Sequence, residues 1–297
     1  MNNFLEKIKQ KREETKIRRA KRAEAKRLSC LKIEIEPFYA SIYNNETFID
    51  LITVAFNNPI IVDYQIRLFK KFIKGSFTHI ICDNSNNKEK AKAIKEACVK
   101  NDVTYINVTS EEKASGFSDS HGRALNRIYK NVVQKRQNNF AFLDHDILPI
   151  KETNVGDYLK ETDLFGAIMH RAGIWYLWPG FSFYKYSYLK DLKLNFRRYR
   201  KFNILKAEGA DTGSGNWYPL YSKYDENKAV NADEILWNIR ENRLANGNEQ
   251  EGKVIQESMV QYFLDKTWLH TECASEWIDC KGKNQIIYEM LEGYLKD

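Results

Sequence analysis

No stretch of this 297-residue sequence approaches the roughly 20 consecutive apolar residues that a membrane-spanning helix needs. Its start lacks the apolar core of a secretory signal. The five cysteines (Cys30, Cys82, Cys98, Cys273, Cys280) are scattered, odd in number and form no C-x-x-C pair. They read as reduced thiols rather than a disulfide framework, which predicts a cytoplasmic protein, soluble or peripheral at a membrane. The dinucleotide fingerprint G-x-G-x-x-G is missing after the first strand, and no G-x-x-x-x-G-K-[ST] loop occurs, so two common phosphate-binding devices are excluded. The body also lacks a basic field. Residues 1–27 hold eleven Lys/Arg against four Asp/Glu, which accounts for the whole formal charge of +7. The remainder balances, and a nucleic-acid groove is not expected of it.

What is present begins with that arm. Residues 4–28 favour helix but offer few apolar positions (Phe4, Leu5, Ile8, Ile17, Leu28). They read either as a solvated helix or as an attachment to an anionic membrane surface or acidic partner. From residue 51 a regular alternation sets in. Strand runs at 51–56, 78–82, 103–108 and 140–143 are separated by helical patterns at 60–74, 88–100 and 118–133. Such alternation predicts a parallel sheet with right-handed crossovers and helices on both faces. It also predicts that Asn57, Asp83 and Asp144 share the carboxyl edge, where open α/β sheets bind ligands.

The last of these strands carries the most chemistry. Phe140 to Leu143 are apolar without alternation, then come Asp144-His145-Asp146 and, soon after, Pro149. On extended backbone the two acids point the same way, as a pair of hard oxygen donors suited to Mg²⁺ or Mn²⁺ with substrate phosphates. His145 then faces the opposite side and reads as structural. The plain alternative is a solvated strand end.

The second half differs in composition. All six tryptophans lie between 175 and 277, with clusters of Gly and Tyr, among them Gly209-Ala210-Asp211-Thr212-Gly213-Ser214-Gly215. These rings serve as core or as the wall of a sugar site. Residues 231–245 read as a surface helix and 246–252 as a loop.

These motifs, in their order and spacing, resemble the family 2-like glycosyltransferases of the GT-A fold. The residues that carry the resemblance are Val54-Ala55-Phe56-Asn57, Cys82-Asp83-Asn84-Ser85, the G-x-A-x-N-like His121-Gly122-Arg123-Ala124-Leu125-Asn126, the D-x-D at Asp144-His145-Asp146, Trp178-Pro179-Gly180-Phe181, and Trp268-Leu269-His270. The similarity spans about residues 50–278.

It implies a Rossmann-like, mostly parallel α/β sheet with helices on both faces. A basic helical arm (1–30) precedes a nucleotide-sugar-binding half (48–150) and an aromatic-rich acceptor half (151–297). It implies a metal-dependent, inverting transfer of a sugar from a UDP- or GDP-sugar to a glycan hydroxyl. Phe56, Asn57, Asp83, Asn126 and Asp144 would bind the donor, and Asp144, Asp146 and His270 the Mn²⁺ or Mg²⁺. Trp178, Gly180 and Trp217 would meet the acceptor. The family's acceptor-side Glu-Asp pair is not evident, and Asp211 stands at about that place as candidate base, with Asp233 and His170 in reserve. The bland readings are a turn cap for Asp211 and a core residue for His270. An inactive sugar-binding module and a nucleotidyltransferase or phosphatase are the other classes.

Overall fold

The computed structural model describes Thr15 and residues 48–109, 117–198, 210–245, 257–274 and 282–296. The remainder of the basic arm and the 246–252 loop, apart from Thr15, lie outside the described residues. β1 (Ile49–Ala55) is buried at every position, as its unbroken apolar run requires. α1 (Pro59–Phe72) starts where Asn58 accepts a hydrogen bond from the Ile61 amide and Pro59 pre-sets the first turn. β2 (Phe77–Asp83), α2 (Lys88–Lys100) and β3 (Thr104–Asn107) follow, with the Asn87 side chain capping α2 through the Glu89 and Lys90 amides. α3 (Phe117–Ile128) leads on to β4 (Asn139–Asp144) and β5 (Ile147–Pro149).

In the second half, β6 (Leu164–Arg171) and β7 (Ile174–Tyr184) form a hairpin. β8 (Val230–Asn231), β9 (Glu234–Asn238), β10 (Arg243–Leu244), β11 (Met259–Phe263) and β12 (Trp268–His270) precede α4 (Lys283–Lys296).

Among the described residues, one seven-stranded sheet runs β8-β6-β7-β4-β1-β2-β3. The β4-β1-β2-β3 pairings are parallel, and β7 is antiparallel to both β4 and β6. This is the expected mixed α/β architecture. Its register aligns Val54 with Asp144 and Ala55 with Asp83, so the strand ends do share one edge. A second sheet runs β10-β9-β11-β12-β5. β5 leaves the large sheet at the Asp144–Ile147 turn and pairs with β12, His270 opposite Ile147. The turn therefore joins the two sheets.

β4 shows why its sequence lacks alternation. Phe140 and Phe142 enter a core with Tyr129, Tyr184 and Phe196, while Ala141 and Leu143 enter another with Phe181, Phe183, Phe263 and Trp268. Both faces are covered. The surface helix expected at 231–245 is instead the strands β9 and β10. Ile235 and Trp237, two apart, both pack on the core beneath α4, so the governing period is 2 rather than 3.6.

At the edge remote from the strand ends, Arg136 is clamped to Asp50. Nε donates to Oδ2 and Nη2 to Oδ1, both at 2.7 Å, and Asn138 adds a bond at 3.1 Å. The side chains are 1% and 2% exposed. Removing one partner strands the other as a buried charge. Arg136→Met is expected to cost about 3–5 kcal/mol, read as a lowered urea midpoint with an unchanged slope.

Candidate active site

A cavity of about 320 Å³ opens at the carboxyl edge, lined among others by Phe56, Asn84, His121, Asp144, Asp146, Trp178, Asp211, His270 and Glu272. Its size is that of a small-ligand site. Both sheets and the loop after β12 contribute to it.

Asp144 and Asp146 do not lie on one extended strand. Residues 145 and 146 form a turn, and the two carboxylates take different partners. Asp144 Oδ1 is 3.3 Å from His121 Nε2 on α3. Asp146 Oδ2 accepts from the Ala274 amide at 3.3 Å and lies 3.6 Å from His270 Nε2. Burial raises the Asp144 pKa, only partly opposed by His121, and the neighbouring Asp146 charge adds to the rise. Burial acts the same way on Asp146, but His270 and the Ala274 amide overcome it and hold this carboxyl well below the usual range.

His145 was expected to face away. It lines the same cavity, because the turn rotates it off the strand's alternation. A backbone carbonyl can only accept, so its Nδ1–H donates to Val54 O at 3.3 Å.

His270 is fixed by a relay. Gln261 donates through Nε2 to Glu234 Oε2 at 3.0 Å, which turns its Oε1 to His270 Nδ1 at 2.8 Å. Nε2 is thereby directed at Asp146. Glu272 lies 3.6 Å from Nδ1, and the Trp178 ring packs 5.0 Å away. Burial would lower the His270 pKa, but Glu272 and Asp146 outweigh it and raise it to about 9.

The remaining candidates divide. Phe56, Trp178 and Asp211 line the cavity. A Cβ on Gly180 would collide with the Trp178 ring, so this glycine lets the indole lie across the strand. Asp211 also caps its own turn, Oδ1 accepting from the Thr212 amide at 2.7 Å.

Several others are not brought to the cavity. Asp83 is fully buried, its carboxylate accepting from the Ser85 amide and the Tyr105 hydroxyl, both at 2.8 Å. Asn57, at φ +52°, knits the loop at Ser85, Asn86 and Asn87. Asn126 binds Asn195 and the Phe196 amide. There Gly122 leaves room for the Arg197 backbone, so the G-x-A-x-N-like residues glue α3 to this segment. Trp217 packs on the core. Asp233 pairs with Asn231 at an exposed edge, and His170 with Glu226 at 2.5 Å on the surface.

The sequence reading missed His121, Asn84 and Glu272. The first two lie within motifs quoted above without a role of their own, and Glu272 lies two residues past His270, so membership of or proximity to a motif is the available signal.

No family model and no curated protein matches the chain. Among solved structures, the mannosyltransferase PcManGT from Pyrobaculum calidifontis, in complex with GDP-Man and Mn²⁺, is similar with a TM-score of 0.43. Identity is 13% over 70% of this chain, which spans 59% of that neighbour. A likeness at this level assigns neither activity nor substrate.

The raised pKa of His270 has a sign. Its folded value of about 9 exceeds the ordinary 6.5, so the stabilisation is complete below pH 6.5 and is lost as pH rises through about 9. In chelator, the melting temperature should fall across that window, by at most about 1.4 kcal/mol of stability per pH unit. His270→Gln should flatten the decline.

Proposed function

We propose that the chain is a metal-dependent glycosyltransferase that takes a sugar from a UDP- or GDP-sugar and delivers it, with inversion, to a hydroxyl of a glycan or related acceptor. One observation carries this reading. The cavity gathers four carboxylates (Asp144, Asp146, Asp211, Glu272) and, among the described lining residues, neither Lys nor Arg. A nucleoside diphosphate is itself an anion, and such a cavity repels it unless a cation intervenes. The position, at the carboxyl edge of a mostly parallel sheet, is where this architecture binds nucleotides.

The donor set fits a divalent ion. Asp146 supplies a hard oxygen, and His270 would offer Nε2 once a cation displaced its proton, its other nitrogen already committed to Gln261, the usual second partner of a ligating imidazole. Asp144 is the additional carboxylate. Among the described residues no three His, Cys, Asp or Glu side chains converge as a ready-made metal cage. A Mg²⁺- or Mn²⁺-type site here would be completed by substrate phosphates. A bound ion would offset the charge growing on the departing diphosphate.

In this reading the protein's part is orientation and proton transfer. The Trp178 face supports a sugar ring, and Phe56 and Asn84 frame the nucleoside end. The acceptor hydroxyl attacks the anomeric carbon as the bond from that carbon to the diphosphate oxygen breaks. Its proton passes to Asp211, whose Oδ1 is anchored by the Thr212 amide.

Melting curves test the proposal. UDP or GDP should stabilise the protein only with Mn²⁺ or Mg²⁺, and Asp146→Ala should abolish that response. Asp211→Asn should keep the response and lose transfer by about 10²–10⁴-fold. Lack of response to any nucleoside diphosphate would leave a sugar-binding module as the better reading.

A further inference from the structure

The Asp144–Ile147 turn is held from beneath by a side chain outside the proposed ligand set. Gln65, on α1, is fully buried. Its Nε2 donates to the Asp144 carbonyl at 2.9 Å and to the Ile147 carbonyl at 2.8 Å, the first and fourth residues of the turn. Carbonyls only accept, so the amide nitrogen must face them and Oε1 must face away. There Oε1 accepts from the Thr53 hydroxyl at 2.8 Å. With that hydrogen spent, Thr53 Oγ1 accepts from His79 Nε2 at 3.1 Å. The His79 ring is itself pinned by stacking on Phe69, 4.3 Å between centroids. Burial depresses the His79 pKa to about 3, so the imidazole is neutral and the direction of every bond in the relay is fixed.

We propose that Gln65 is a positioning residue for the candidate metal site. By bracketing both ends of the turn it keeps Asp144 turned to His121 and Asp146 turned to His270. This rests on the metal-dependent reading above. The carboxylates have longer contacts of their own: the Ala274 amide at 3.3 Å and His270 Nε2 at 3.6 Å from Asp146, and His121 Nε2 at 3.3 Å from Asp144. The paired 2.8–2.9 Å bonds of Gln65 act on the backbone that carries them. No other common side chain serves equally. Glutamate would set an oxygen against two carbonyl oxygens. Methionine keeps the volume but leaves three buried polar groups without their partner.

Calorimetric titration of Mn²⁺ in the presence of UDP or GDP, well below every melting temperature, tests this. The proteins are wild type, Gln65→Met, Gln65→Glu, Thr53→Val and Ile94→Ala. Ile94, on α2, is buried in a core cluster that contains neither Gln65, Thr53 nor His79, so its truncation lowers stability without removing a bond of the relay. Expected are a 10–100-fold weaker Mn²⁺ affinity for Gln65→Met, a larger loss for Gln65→Glu, a smaller one for Thr53→Val, and wild-type affinity for Ile94→Ala despite its lower melting temperature.

Wild-type affinity in Gln65→Met, or an equal loss in Ile94→Ala, would overturn the positioning role. If Gln65→Met does not fold, Thr53→Val against Ile94→Ala decides by the same comparison. Wild type that binds no Mn²⁺ overturns the metal reading itself, and is recognised before any variant is compared.

Discussion

The structure depends on a single junction. β4 ends at Asp144 in the large sheet, and three residues later β5 begins in the small one. β4 takes its register from β1 and β5 takes its own from β12, while Leu143, Ile147 and Trp268 share one core across the joint. The short turn between them must satisfy both. Residues at such a joint cannot drift with either sheet alone, and the two acids on it inherit the rigidity of both. Not every polar atom around the joint is engaged: His145 Nε2 and Thr271 Oγ1 are buried without a hydrogen-bond partner.

The first half of this architecture was legible because its signals are local. Unbroken apolar runs and apolar positions at helical spacing each act within a dozen residues. The aligned strand ends then follow from parallel pairing alone. The second half was harder. Short strands such as β9 span only five residues, too few to separate period 2 from 3.6 by inspection. Only the core beneath α4 decides it.

The site was partly legible for a related reason. Asp144, Asp146, Phe56, Trp178, Asp211 and His270 were named as candidates and line one cavity. Asp83 and Asn126 were named by the same resemblance and are spent on hydrogen bonds that hold the fold. Nothing in a one-dimensional pattern tells a carboxylate offered to a ligand from one consumed by Tyr105. His145 shows the reverse failure. Alternation along a strand predicts its direction only while the strand lasts, and the backbone turns at that residue.

The pairing of β5 with β12 also has a consequence for assembly. His270 is drawn to a turn more than a hundred residues earlier in the chain, and β7 must already lie between β4 and β6 for the large sheet to be continuous. Contacts of such long sequence separation form late and slowly, because loop closure must precede any gain from them. The carboxylate edge of the first four strands can therefore exist before its opposing wall does. During synthesis the acids would stand open to solvent until β12 emerges and docks, so closure of the cavity waits on the second half of the chain.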